Sequence, residues 1–328
     1  MNASKPRLST SGGRLAVLGN GAVVAGALYL ILYAVYAANS RSALSVSALT
    51  DLLNNGVPLI IAAAGGTLII LLRGFDLSVA GVMSLTNVVL AAYPFQGAGG
   101  AAASLALVLA IGALVGVING LLVAYVGLQS IAVTLATMIV AQGAALLILD
   151  APGGAVSDWI AENMTDTLVG VLPVSGLVAV AVGLCWLLLK RTDVGVALYA
   201  VGKDETAAAL SGVDVRRTKC VAFVLAGMLY GLAGFMLSAQ TASGNPNGGS
   251  SVLLLVFAAV ALGGTSFSGG SGGVIGSMVG AATLTLLQKV LFSSGVESFY
   301  IGLFQGAVMV LAVLLGEAVS RMTRVVHE

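Results

Sequence analysis

Charge is what this sequence has least of. Only 8% of its 328 residues are Asp, Glu, Lys or Arg, against roughly 25% in a soluble globular domain. With 59% hydrophobic residues and a mean hydropathy of +1.07, a water-soluble fold is excluded and a polytopic membrane protein is expected. The net charge of +1 supplies no field for nucleic acid, so no nucleic-acid partner is expected. The single histidine, His327, is next to last, and Cys185 and Cys220 both fall at hydrophobic positions near segment ends. These scarcities leave no His/Cys cluster for a metal and no base for a buried catalytic triad. The cysteines read as small packing residues, and neither a metal nor a cofactor is expected.

What is present is a series of long apolar runs with basic residues at their ends, as the positive-inside rule requires. A polar tail over 1–14 precedes a first run over 15–38, too long for the ~7–15 residue core of a signal peptide. Further runs cover 56–72, a segment within 77–93, 103–125, 131–149, 171–189, 220–240, 252–262, 274–292 and 298–315. The polar stretch 51–55 separates the first two. The sequence predicts an all-α transmembrane helical bundle of about ten spans over 15–317, with both termini, 1–14 and 318–328, cytoplasmic. The run 252–262 is short for a crossing, which takes ~20 residues, and is either a span or a re-entrant element. The glycine-rich segment after it suits a cavity lining, because irregular backbone at membrane depth persists only where protein or water satisfies it. Gly112, Gly116 and Gly120 in one run, and Gly227, Gly231 and Gly234 in another, form stripes that let helix backbones approach closely. The segment 150–170 carries acids, Trp159 and no Lys or Arg, which predicts an external interfacial helix.

The longest charged island, 199–219, follows the sixth predicted crossing and so falls inside. Asp204 and Glu205 sit at the positive end of a predicted short helix through Ala207, Ala208, Ala209, Leu210 and Ser211, and Gly212 is placed to stop it. Asp214 is positioned as the N-cap of the next segment. These local signals are equally those of an ordinary inter-helix loop.

No energy-coupling motif is complete. Val201-Gly202-Lys203-Asp204 lacks the upstream glycine and the Ser/Thr of a phosphate-binding loop. Gly269-Gly270-Ser271-Gly272-Gly273 matches the spacing of a nucleophile elbow but has no histidine to serve it, so a turn is the better reading. Asp76 is the lone acid of the early apolar block and reads as a cap of the third run through Leu77 and Ser78, paired with Arg73.

Three motifs together resemble the inner-membrane permease subunits of ribose-type ABC sugar importers, relatives of the ribose, xylose, arabinose and galactofuranose permeases. Gly74-Phe75-Asp76-Leu77-Ser78-Val79 looks like the family's Gly-Ile-Asp-Leu-Ser-Val. Tyr199-Ala200-Val201-Gly202, continuing through Ala207 to Val213, is similar to its cytoplasmic coupling segment. Leu262-Gly263-Gly264-Thr265-Ser266-Phe267-Ser268-Gly269-Gly270 is close to its Leu-Gly-Gly-Thr-Ser-Leu-Ser-Gly-Gly. The resemblance covers about 49–316. The chain departs from the pattern at Ser130-Ile131-Ala132, where the family has Pro-Phe-Ile, at Lys203-Asp204, where it has Gly-Asn, and at Ser271, where it has Arg.

The resemblance implies a transport subunit, not an enzyme, in the bacterial inner membrane. Two such subunits would form a central path, alike or merely related. A separate cytoplasmic ATPase would grip a coupling helix over 204–211, and a periplasmic or lipid-anchored binding protein would deliver a sugar. Neutral polar residues inside apolar runs, Asn87, Asn119, Thr134, Gln142, Gln240 and Gln305, are candidates for the path, since a polyol needs donors and acceptors without fixed charge. Interhelical hydrogen bonds are the competing reading for each. Permeases for branched-chain amino acids or nucleosides, and a stand-alone secondary transporter, are the alternative functions.

Overall fold

The computed structural model describes residues 21–297 and residues 300, 302, 303, 306 and 307. The tails, the end of the chain after 307, the last predicted run for the most part, and Gln305 lie outside the described residues.

The fold is a helical membrane bundle built round one buried helix. Helix α1 is Gly21–Asn39 and α2 is Val46–Leu71. From Gly56 to Leu71 every residue of α2 is buried, as expected for a helix apolar on all sides. The polar stretch 51–55, expected to interrupt the chain here, lies inside α2. Ser45 caps the helix by accepting from Ala48 N–H, and the polar side chains find partners that let it continue. Asn54 donates to Thr165 O (2.7 Å) and accepts from Ser175 Oγ (2.6 Å), while Asn55 donates back to Asp51 O.

Helix α3 is Ser78–Ala92, α4 is Gly97–Leu121 followed by a π turn over Leu122–Val126, and α5 is Ser130–Ile148. The acidic segment holds the eight-residue α6, Asp158–Thr165, and a small hairpin of β1, Thr167–Leu168, and β2, Leu172–Pro173. Helix α7, Val174–Leu189, bends by 78° into α8, Asp193–Lys203. The short α9, Glu205–Leu210, leads to α10, Val215–Thr241, then to α11, Ser250–Leu262, and α12, Val274–Ser293.

The expected count of about ten spans includes the run 298–315, which for the most part lies outside the described residues. Among the described residues six helices are long and apolar enough to cross a membrane, or seven if α7 and α8 are one bent span. Within the described residues the two runs that fall short are α3 and α11. At 15 and 13 residues they measure roughly 20–23 Å at ~1.5 Å per residue, short of a ~30 Å hydrocarbon core. Both are packed inside the bundle, α3 against α5 and α10, α11 against α12 and α2.

The two glycine stripes meet at Gly227, while Gly234 faces Thr86 of α3. A Cβ on Gly112 would overlap the carbonyl oxygen of Gly227, one on Gly227 would overlap that of Gly112, and one on Gly116 would overlap that of Phe223. Helices α4 and α10 thus touch backbone to backbone. Cys220 lies in the same seam opposite Gly120, and both cysteines are free thiols.

Candidate functional site

All three sequence motifs converge on one end of the bundle. The first begins where α2 stops. Arg73 N–H donates to Ile70 O (2.9 Å) and Gly74 N–H to Ile69 O (3.0 Å), a Schellman closure in which Arg73 takes the left-handed position with φ 62°. Helix α11 ends the same way, with Gly264 at φ 78° and Thr265 N–H donating to Val260 O (3.1 Å). So does α9, with Gly212 at φ 86° and Val213 N–H donating to Ala208 O (3.0 Å).

Between α2 and α3 the backbone of 75–77 is irregular and part-buried, and two of its N–H groups are satisfied by side chains of α5. Phe75 N–H donates to Ser130 Oγ (3.2 Å), and Leu77 N–H donates to Thr134 Oγ1 (3.1 Å). Thr134 is fully buried. Replacing it with valine removes the acceptor and leaves the Leu77 N–H alone. Thr134→Val is therefore expected to cost about 1–3 kcal/mol, read as a lower unfolding midpoint in detergent, with Thr134→Ser close to wild type. An unchanged midpoint for the valine variant would rule out this clamp.

Asp76 is buried at 3% exposure, yet it does not pair with Arg73 as its neighbourhood in sequence suggests. Its Oδ1 accepts from Ser78 N–H (2.9 Å) and Ser78 Oγ (2.5 Å), capping the start of α3. Ser78 Oγ accepts in turn from Asn119 Nδ2 (3.1 Å), and Asn119 Oδ1 accepts from Thr137 Oγ1 (2.8 Å). Tyr230 on α10 brings its hydroxyl up to the same carboxyl, outside ordinary hydrogen-bond geometry.

Arg73 turns instead to the second motif. Its Nε donates to Gly202 O (2.8 Å) and its Nη2 to Lys203 O, the last carbonyls of α8. The third motif closes the junction. Gly270 N–H donates to Leu71 O (2.9 Å), and Tyr199 Oη donates to Gly272 O (2.8 Å). The crossing is close: a Cβ on Gly202 would overlap Leu71 O and stand 2.7 Å from Gly270 N, and one on Gly269 would overlap the Arg73 stem. Gly263 packs as tightly against the Gly276 backbone of α12, and Thr265 Oγ1 accepts from Gly273 N–H (3.1 Å). Phe75 and Phe267 stack at 5.8 Å with 9° between ring planes, and Phe257 of α11 lies 5.7 Å from Phe75 at a 50° tilt. Phe75 and Phe267 stand where the resembling motifs have Ile and Leu, so the two departures form one contact.

Helix α9 lies beside this junction. Asp204 caps it by accepting from Ala207 N–H (2.9 Å), and Asp214 caps α10 by accepting from Arg217 N–H (2.9 Å). Glu205 pairs with Lys219 of α10 at 2.6 Å. Ala208 faces inward at 5% exposure, whereas Leu210 stands out at 86%. Thr206, Ala207 and Ser211 are exposed with it. The outward face is thus Thr206, Ala207, Leu210 and Ser211, not the middle of the alanine run. Beneath α9 a cleft of about 640 Å³ is lined by Arg73, Gly74, Ser130, Glu205, Arg216 and Lys219 among others.

The neutral polar residues do not gather round one cavity. Asn119 and Thr134 belong to the network under the junction. Asn87, near the other end of α3, uses both amide donors, on Ser238 Oγ and Ser243 O (3.0 Å each), and accepts from Asn245 N–H (2.7 Å). Gln240 donates to Asn55 Oδ1 (2.8 Å) and Gln142 to Ser250 Oγ (2.9 Å). None of these five lines the cleft beneath α9. The Arg73 tie and the Ser130 acceptor were missed by reading sequence, because the partners lie 129 and 55 residues away. The one available signal was an arginine directly after the apolar run 56–72.

Residues 48–313 match the family model described as the branched-chain amino acid transport system / permease component. The chain belongs to this permease family. It is 32% identical over 293 residues to the ribose import permease protein RbsC of Escherichia coli (strain K12), covering 87% of this chain and 90% of that protein. It is 35% identical over 261 residues to the ribose import permease protein RbsC of Bacillus subtilis (strain 168), covering 77% and 79%. The galactose/methyl galactoside import permease protein MglC of Escherichia coli (strain K12) is 29% identical over 305 residues, covering 87% and 91%. No solved structure matches the chain. The permease is thus a multi-pass membrane protein whose three motifs pack as one unit.

Proposed function

We propose that this permease is the membrane subunit of a binding-protein-dependent ABC importer that carries a monosaccharide-class sugar into the cytoplasm. The observation that carries this reading is α9: a six-residue helix capped at both ends, braced by the Glu205–Lys219 pair, with an apolar side chain, Leu210, turned out of a charged segment. A stiff element with an exposed apolar knob suits docking into a partner, and a cytoplasmic ATPase is that partner. ATP hydrolysis belongs to the separate subunit. The likeness to ribose and galactose permeases along nearly the whole chain supports a sugar as the cargo.

In this reading the junction and α9 face the cytoplasm, both termini are cytoplasmic, and the protein sits in the bacterial inner membrane. Segment 15–317 is the transmembrane domain, in which α3 and α11 count toward ten crossings as broken elements. The central path forms between two permease subunits, which fits the dispersal of Asn87, Asn119, Thr134, Gln142 and Gln240 within one chain. A periplasmic or lipid-anchored binding protein delivers the sugar. The family's description also names branched-chain amino acids, and these are the second cargo to test.

The permease reconstituted in proteoliposomes with its ATPase and binding protein is expected to take up radiolabelled ribose or galactose only when ATP is supplied on the ATPase side. Leucine uptake under the same conditions would replace sugar by amino acid. Uptake by the permease alone without ATP would overturn the importer reading.

A further inference from the structure

Arg73 occupies a backbone position that its residue type does not favour. Among the described residues only Arg73, Val169 and Ala242 have positive φ without being glycine, and the equivalent positions after α9 and α11 are Gly212 and Gly264. A left-handed C′ position selects glycine because a Cβ crowds the neighbouring carbonyl. The arginine side chain is what this position holds in return. Its guanidinium reaches across to Gly202 O and Lys203 O, the last carbonyls of α8, where the negative helix end favours a cation. Lys203 is followed at once by Asp204, the cap of α9.

The same point carries the leads to both short helices. The 72–77 link runs from Arg73 into α3. The 263–273 link runs out of α11, and its Gly270 N–H is bound to Leu71 O while Gly269 lies against the Arg73 stem. The Phe75–Phe267 stack joins the two links above it. Besides the Glu205–Lys219 contact with α10, this crossing links α9 to the leads of both α3 and α11, and among the described residues Arg73 is the only side chain in it that spans from the α2 end to the α8 end by charge-assisted hydrogen bonds.

We propose that Arg73 is a positioning residue for transport, tying the α8–α9 corner to the two short helices so that movement of α9 is delivered to them together. This rests on the reading of α9 as the ATPase-coupling helix. Arg73→Gly tests it directly, because glycine suits φ 62° and removes the tie without straining the turn.

In proteoliposomes holding the permease, its ATPase and its binding protein, the Arg73→Gly importer is expected to assemble and to hydrolyse ATP within about twofold of wild type. Its ribose or galactose uptake per ATP is expected to fall at least about tenfold, with an unfolding midpoint no lower than wild type, and Arg73→Lys is expected to restore part of the uptake. Unchanged uptake per ATP would overturn the proposal. So would a fall of uptake and hydrolysis in proportion, a lost complex, or a lowered midpoint, each of which makes Arg73 a stabilising or docking residue. A wild-type importer that shows no ATP-dependent uptake of ribose, galactose or leucine overturns the importer reading, and with it this inference. That result appears in the wild-type arm, apart from any effect of the variants.

Discussion

Gly112→Leu is expected to leave no folded permease in detergent. The leucine Cβ would overlap the carbonyl oxygen of Gly227 on the facing helix. No rotamer relieves a clash that begins at Cβ, so α4 and α10 must part along their shared seam. Overpacking in a core costs about 1–3 kcal/mol when side chains can adjust, and here backbone must move, which places the cost above that range. Loss of the monodisperse species, or a collapse of the unfolding midpoint, is the measurement. Gly143→Ala is the control: a Cβ there meets nothing within 4 Å, and alanine in a helix interior is favoured over glycine by about 0.5–1 kcal/mol. If Gly112→Leu and Gly143→Ala behaved alike, the α4–α10 contact would not be the seam that holds the bundle.

Leu210→Asp is expected to release the ATPase while leaving the permease folded. Leu210 is 86% exposed, so its replacement removes little internal packing. If it is the apolar anchor of the docking face, its loss should cost about 2 kcal/mol or more, roughly a thirtyfold weaker complex. Co-purification with the ATPase and ATP-driven uptake should both fall, with the unfolding midpoint kept within about two degrees, since surface changes are usually within ~0.5 kcal/mol. Undiminished co-purification would show that α9 does not dock. Ala208→Arg is a poorer probe, because Ala208 is buried and the change would disturb the permease's own packing.

Much of the fold was legible where the physics is local. Asp204, Gly212 and Asp214 mark the limits of α9 and the start of α10, because a cap is made by a side chain within three residues of the amide it accepts from. The apolar runs identify membrane helices because lipid selects composition over ~20 consecutive residues. Two local readings went astray for one reason. The polar residues 51–55 looked like a break, yet Asn54 is matched by Thr165 and Ser175. Arg73 looked like the partner of Asp76, yet each is satisfied elsewhere. In both places a distant partner outweighed the neighbour in sequence.

By itself, the sequence determined that this is a helical membrane protein, where most helices lie, that a short capped helix stands in the charged island, and which motifs it shares with sugar permeases. Only the tertiary structure decided that 71–78, 199–203 and 262–273 meet at one crossing, that the two glycine stripes meet at Gly227, and that Phe75 stacks on Phe267. The division follows from chain closure. Helix formation and capping depend on contacts a few residues apart, which the order of residues states outright. The partner of an arginine or a glycine face depends on which distant segments the packed bundle brings within a few ångströms.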